Sequence, residues 1–246
     1  MSERPPIPGG GLLIVVNYNQ AQEIERYLEQ ARAYFPQDHC VIVDDGSTDG
    51  SREIAERMGF QVLRHPRNLG IGAAIRTGIK HALQGGYRWV LISASNGKMR
   101  PDEFAGVYGP VDRGEADYVQ GNRFLREGSS PGLTSFRRAA IPAFSLLASM
   151  LLGRRFTDIS CGLRCYTLEL VRDPELDLEQ PWLDRYELEY YLHWKAVRSG
   201  RYRVIEVPVT MKYDHIAKGR ISKIKPIVGW WSMIRPFLVL SLRLKK

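Results

Sequence analysis

The chain has 246 residues, 44% of them hydrophobic and 25% charged, which is ordinary for a soluble globular enzyme with a sizeable core; it needs no second domain, and no internal repeat or low-complexity segment interrupts it. Three cysteines, Cys40, Cys161 and Cys165, form an odd set without metal-ligand spacing, which argues against a disulfide or zinc site and for a reduced, cytosolic compartment. The net charge of +8 favours anionic partners, but no helix-turn-helix, zinc-finger or RNP pattern accompanies it, so phosphates or an acidic membrane face fit better than nucleic acid.

The first ten residues, MSERPPIPGG, lack an apolar h-region and read as a loose, proline-stiffened lead rather than a signal peptide. Residues 12–17 are an all-apolar strand that ends in Asn17, Tyr18 and Asn19, with a helix following over 20–34. A second apolar strand, 40–44, ends in Asp44, Asp45 and the turn former Gly46, and Thr48 or Asp49 is placed to cap a helix over 51–58. A third strand, 61–64, passes through HPRNLGIG into a small-residue helix over 71–85, and a fourth, 88–93, precedes a helix over 101–113. Tyr118 to Asn122 reads as a fifth strand, 135–153 as a helix apolar nearly all round, and 202–213 as a late strand. Repeated strand-helix units predict an α/β fold, a Rossmann-like and mostly parallel sheet with helices on both faces. No stretch reaches the roughly 18–20 uninterrupted apolar residues of a spanning helix, so the protein is expected to be soluble or peripheral.

Taken alone, DDGS is as much a turn and cap sequence as a site. Its company favours a site, because three successive strand ends present polar groups, and ligands of open α/β sheets bind at carboxyl strand ends. A carboxylate at such a strand end accepts from the ring N–H donors of a ligand, so Asp44 or Asp45 is the natural reader of a ring edge, with backbone near Asn17 beside it.

These pieces resemble the nucleotide-sugar half of family-2 glycosyltransferases of the GT-A type. Asn17-Tyr18-Asn19-Gln20 is similar to the family's "yNE", with Gln20 in place of the acid; Asp44 to Asp49 matches "DDGSTD" in full; Arg67-Asn68-Leu69-Gly70 with Gly72 and Ala73 matches "N.G.g.A". The resemblance implies a GT-A fold, a UDP- or GDP-linked sugar donor, and a site in which Arg67 and Asn68 approach base and pyrophosphate while Gly70 and Gly72 bring a helix N-terminus close to charge. It covers residues 12–225: a nucleotide half over 11–115 and an acceptor half over 116–225 in one domain, before an amphipathic tail over 226–246.

One motif departs from the family. The fourth strand should end in D-x-D-x-Q before a proline, the acids holding a divalent ion on the donor's pyrophosphate. Counting back from Pro101, those positions carry Ala94, Ser95 and Asn96, with Lys98 at the Gln position. Asn96 is at most a weak metal ligand, so the expectation is catalysis without cofactor or divalent metal, with Lys98 as a fixed cation against the pyrophosphate. The competing expectation is an inactive, nucleotide-sugar-binding relative.

The later motifs look most like the polyprenyl-phosphate branch of the family, typified by dolichol-phosphate mannose synthase. Gly121-Asn122-Arg123-Phe124 resembles "GsRy", Asp158 to Tyr166 resembles "D.tsGfRay", Tyr186 to Tyr190 resembles an acidic helix start, Ile205-Glu206-Val207-Pro208-Val209 matches the structural "i.EvPv", and Lys218 to Lys223 resembles "r..G.SK". By that resemblance Arg123, Arg137, Arg138 and Arg164 position an anionic acceptor, and Asp158 acts as base, orients an Arg, or simply pairs with one in the core. Glu189, with Glu187 as alternative, faces the site, and Arg220, Ser222 and Lys223 close over the diphosphate. A phosphate acceptor needs positioning more than a base; transfer to a saccharide or small-molecule hydroxyl is the enzymatic alternative. Trp230, Trp231 and Phe237, together with Arg235, Arg243, Lys245 and Lys246, make the tail an interfacial helix for an anionic membrane, which places the protein at the cytoplasmic membrane face. The sequence leaves self-association open.

Overall fold

The computed structural model describes residues 10–213, 228–242 and 244. Seven strands form one sheet: β1 (Gly11–Asn17), β2 (Cys40–Asp44), β3 (Gln61–Arg64), β4 (Trp89–Ala94), β5 (Tyr118–Asn122), β6 (Arg164–Thr167) and β7 (Val204–Pro208), in the order β3-β2-β1-β4-β6-β5-β7. All neighbours run parallel except β6, which is antiparallel to both β4 and β5. The strands are nearly continuous apolar runs because both faces are covered. Leu12 and Ile14 of β1, with Val41, Val43, Val90 and Ile92, enter one core; the alternate residues Leu13, Val15, Ile42 and Leu91 enter the other.

Helices α1 (Ile24–Tyr34), α2 (Ser51–Arg57) and α4 (Phe104–Asp112) line the second core, while α3 (Ile71–Gln84), α5 (Ser135–Leu152), α6 (Leu168–Val171), α7 (Glu187–Arg198) and α8 (Val228–Ser241) line the first. The first five strands and first five helices lie where the sequence pattern put them, with α1 starting four residues late after a turn. Gly50, left-handed at φ 85°, takes the α2 N-cap, and Asp49 instead accepts from Ala21 N at 2.8 Å and Ser51 N at 3.0 Å. The cysteines are free and buried.

Strand β6 is absent from the sequence reading. Its four residues, RCYT, carry no apolar run and start on an Arg; pairing with β4 and β5 extends them, a choice made by tertiary neighbours rather than by local pattern. The late strand is shorter than predicted, Val204–Pro208, after which the chain makes single bridges, Ser129 to Thr210 and Met99 to Met211. Core burial of α5 holds for one face only: Phe144, Ala148 and Leu152 are inside, whereas Leu146, Leu147 and Met150 are exposed.

The tail also differs from the expectation. Helix α8 docks on α7 and α5, with Phe237 only 1% exposed between Phe144, Tyr190 and Trp194. Arg235 stacks over Trp182 and faces Glu187 at 3.9 Å. Phe237 therefore serves the core and Arg235 an internal contact, while Trp231 stays exposed. Deleting the chain from Gly229 would strip the first core of Met233, Phe237 and Leu240, so truncation is no clean test of membrane binding.

His193 on α7 is fully buried with its ring edge-on to Tyr118 and Phe156, and neither ring nitrogen has a protein hydrogen-bond partner. Burial first, then Arg164 and Arg154, hold its pKa well below the ordinary 6.5. The unfolded chain takes up a proton there as pH falls below about 6.5 and the folded chain does not, so stability present above that pH is lost progressively below it. His193→Leu, close in volume and apolar, should raise stability by about 1–2 kcal/mol and flatten the acid slope, measured by urea unfolding from pH 5 to 8. An unchanged slope would show that His193 is not its source.

Candidate active site

The carboxyl ends of β3, β2, β1, β4 and β5 lie on one edge, because β1 to β4 are mutually parallel and β5 shares their direction across antiparallel β6. Side-chain hydrogen bonds tie these ends together. Buried Asn17 donates through Nδ2 to Asp44 Oδ1 (2.8 Å), Ser47 Oγ (3.2 Å) and Ser51 Oγ (3.0 Å), and its Oδ1 accepts from Ser95 Oγ at 2.7 Å. Asn19, at φ 51°, donates its N–H to Ser47 Oγ at 3.0 Å, and its Oδ1 accepts from Thr48 N at 2.9 Å. The remaining Asp44 oxygen accepts from Ser47 N at 3.0 Å. Asp44, fully buried, is a strut between strand ends and is closed to a nucleobase.

Asp45 is committed as well. Its Oδ1 receives His65 Nδ1 and Leu69 N, each at 2.8 Å, and its Oδ2 receives Gly70 N at 3.0 Å, while His65 Nε2 bonds Thr77 Oγ1 at 2.9 Å. The carboxylate thus clamps the loop that carries exposed Arg67 and Asn68, and its oxygens face that loop. Gly46, at φ 73°, lets the loop pass: a Cβ there would lie 2.4 Å from the Arg67 carbonyl carbon. Asp45→Ala should release the loop and leave His65 without its carboxylate, weakening nucleotide binding about tenfold or more by titration calorimetry. Wild-type affinity would show that the clamp does not position the loop.

The helix N-terminus expected to meet phosphate is covered. Asp184 O accepts from Ala73 N at 3.0 Å, and a Cβ on Gly72 would meet Leu183 O at 2.0 Å. Gly70 and Gly72 are small so that the segment before α7 can cross α3, and this crossing brings exposed Arg185 beside Gly70, a rim cation with no signal in the sequence.

In the acceptor half, Arg123 and Asp158 form a buried bidentate pair, Nε to Oδ2 at 2.6 Å and Nη2 to Oδ1 at 2.7 Å. Asp158 also accepts from Arg123 N, Ser160 N and Ser160 Oγ at 3.0–3.2 Å. With five donors and no exposure it has no lone pair open to a substrate proton, which leaves the paired-in-the-core alternative and removes the base. Arg123 spends its other contacts on Ser160 Oγ and Tyr213 OH, both 2.6 Å. Arg164 pairs elsewhere: it donates to the carbonyls of Cys161, Ile159 and Glu189 at 2.7–3.0 Å and to Tyr118 OH at 3.1 Å, a fastener between β6 and α7 rather than an acceptor ligand. Glu206 accepts from Asn122 Nδ2 at 2.8 Å and from the amides of Thr157 and Asp158, as a structural residue should.

The two glutamates of α7 part company. Glu189 reaches toward Gly162 and Arg164, its Oε1 3.5 Å from Arg164 Nε, and burial raises its carboxyl pKa against the pull of that Arg; Glu187 points to Arg235 on α8. Gly162 lies at the carboxyl edge, so Glu189 is the one directed to the site. Lys98 stands 5.4 Å from the ring centre of Tyr213, which Arg123 holds through its hydroxyl, and Lys98 O accepts from Lys212 N at 2.8 Å. Tyr213 is a site residue that nothing in the sequence marked. Arg137, half-buried, sits near Tyr186 with Arg185, while Arg138 is exposed. Arg220, Ser222 and Lys223 lie outside the described residues.

Residues 12–174 match the glycosyl transferase family 2 domain. The chain belongs to that family. This glycosyltransferase is 27% identical over 217 residues to polyprenol monophosphomannose synthase of Mycolicibacterium smegmatis, covering 86% of this chain and 80% of the relative. It is 26% identical to undecaprenyl-phosphate mannosyltransferase of Micrococcus luteus, over 86% of this chain and 87% of that one. Glucosyl-3-phosphoglycerate synthase from Mycobacterium tuberculosis, solved with Mn2+ and UDP-glucose, superimposes with a TM-score of 0.65 at 18% identity, covering 96% of this chain and 80% of the other, and shares the GT-A-like fold.

The glycosyltransferase's fourth strand end does not fit a divalent ion. Ala94 has no donor atom, Ser95 Oγ is turned onto Asn17, and Asn96 Oδ1 accepts from Lys98 N at 3.1 Å. Among the described residues no group of three or more His, Cys, Asp or Glu is placed to hold a metal, and hard cations require such anionic oxygen.

Proposed function

We propose that this glycosyltransferase moves a sugar from a UDP- or GDP-linked donor to a polyprenyl phosphate at the cytoplasmic face of the membrane, with inversion and without a divalent ion. The named acceptors of the relatives support the substrate class. The observation that carries the mechanism is the saturation of Asp158: a hydroxyl acceptor needs a base to take its proton, whereas a phosphate arrives already ionised. A phosphate oxygen attacks C1 from the face opposite the diphosphate; the C1–O bond breaks, and its electron pair leaves on the nucleoside diphosphate. Both reacting ends are anionic, so cations bring them together. Arg67 and Asn68 hold the nucleotide end, Lys98 faces the leaving diphosphate, and Arg137 and Arg138 meet the acceptor.

The test uses Glu189→Gln, which removes the α7 carboxylate that reaches toward Gly162 and Arg164 while keeping its shape. Transfer to polyprenyl phosphate, followed as radiolabelled lipid product with UDP- and GDP-sugars, should fall less than about tenfold. A loss of about 10²–10⁴ is the signature of a missing general base and would support the hydroxyl acceptor instead. Labelled product with saccharides and none with lipid phosphate would reject the substrate class outright.

A further inference from the structure

Among the described residues nine large apolar side chains are exposed, and seven of them lie on α5 and on or just beyond α8, two helices that pack side by side. On α5 they recur at helical spacing along one face, Phe136 (71% exposed), Leu146 (60%), Leu147 (41%) and Met150 (66%), with exposed Ala139 and Ala143 completing the stripe. Trp231 (56%) on α8 and Leu242 (66%) just beyond its end extend the patch. Such clustering marks an interaction surface, since scattered apolar residues are the norm on soluble proteins.

The charge around the patch identifies its partner. Arg137 and Arg138 open α5, and Arg154 and Arg155 follow its end. No Asp or Glu occurs between Glu127 and Asp158, nor anywhere after Asp214, so neither helix carries a carboxylate into the surface. An apolar stripe on helices whose own charges are all cationic matches an anionic lipid bilayer, which offers acyl chains at one depth and negative headgroups at the next; the Asp173 and Glu175 carboxylates that adjoin Leu151 and Leu240 face Arg201. Neither helix is long and apolar enough to cross a membrane. At its N-terminal end α5 brings Arg137 beside Tyr186, one turn from Glu189.

We propose that the outer faces of α5 and α8 together form the surface by which this protein lies on an anionic membrane, with the start of α5 at the point where a lipid phosphate enters the site. The proposal rests on the acceptor reading above only for that last clause; the docking surface stands on its own. Docking is carried chiefly by α5 and not by the tail alone, because the core takes the inner face of α8 and α5 presents the longer exposed stripe.

The experiment compares the full-length protein with Leu146→Asp/Met150→Asp and with the apolar control Leu146→Ile/Met150→Leu, by flotation with phosphatidylcholine vesicles containing or lacking phosphatidylglycerol. These positions are exposed, so thermal unfolding of both variants should match the parent. The parent and the control should bind phosphatidylglycerol vesicles and release in high salt, and the Asp variant should lose binding at least about tenfold. It should also lose transfer to a long-chain lipid phosphate in vesicles while keeping transfer to a short, water-soluble polyprenyl phosphate. Equal vesicle binding by parent and Asp variant overturns the proposal, as does a parent dimer in solution that the Asp variant dissolves, which would assign the patch to a second copy. No transfer by the parent to either acceptor, with vesicle binding behaving as expected, would reject the acceptor reading and leave the surface intact.

Discussion

Asp158→Ala is expected to cost this protein about 3–5 kcal/mol, because it leaves the Arg123 guanidinium buried without its counter-charge. The pair joins the end of β5 to the loop before β6, and Arg123 passes the constraint on to Tyr213 and Ser160. Truncation also orphans Arg123 N, Ser160 N and Ser160 Oγ. Two readings of Asp158 are separable by a double variant. If the residue acts through packing, Arg123→Met/Asp158→Leu should recover most of the lost stability, since both charges disappear together. Activity should stay low, because Tyr213 then loses the Arg123 donor that fixes it beneath Lys98. Urea unfolding of the two single variants and the double, with transfer rates for each, gives the coupling. Additive stability losses would refute the paired account, and a stable, folded Asp158→Ala with a large loss of rate would reinstate the base.

Lys98→Ala is the second large effect: turnover should fall by about 10²–10³, the loss found when one preorganised electrostatic contact to developing charge is removed. The side chain projects from the turn after β4, whose backbone is set by Asn96 Oδ1 on Lys98 N and by Lys212 N on Lys98 O, so the mutation leaves the turn in place. Folding should change by no more than about 1 kcal/mol, the scale of the cation–π contact that Lys98 makes with Tyr213. Wild-type activity should be indifferent to EDTA and to added Mn2+. A wild-type rate in Lys98→Ala removes the residue's role, and activity abolished by EDTA and restored by Mn2+ rejects metal independence, whatever Lys98 does.

How much of this was legible depends on the range of the interaction concerned. Five strand ends and their polar residues were readable, because an apolar run that stops in Asn-Tyr-Asn or Asp-Asp-Gly reports its own burial and its own turn. The Asn96 and Lys98 substitutions were readable too, since chemistry that is absent from a donor set shows in the letters. The direction of a side chain was not. Asp44 and Asp45 were correctly placed at the strand end, yet whether their oxygens face a ligand or the neighbouring loop depends on His65, Leu69 and Gly70, brought up by a different strand. The same holds for Gly70 and Gly72, whose small size serves the crossing of 183–185 and not a phosphate.

The sequence by itself determined the layered α/β architecture and the polar strand ends, which follow from local periodicity and residue type, and its family resemblance showed that Ala94 and Asn96 stand where the D-x-D acids would be. Tertiary structure alone decided that Asp158 belongs to Arg123 and Arg164 to the carbonyls of Ile159, Cys161 and Glu189, that RCYT becomes an antiparallel strand, that Tyr213 comes beneath Lys98, and that α8 gives its Phe237 to the core while α5 keeps an apolar face outside. Each of those outcomes is a choice among partners distant in the chain, and burial, which sets the cost of an unpaired charge or an uncovered side chain, exists only once the chain has closed on itself.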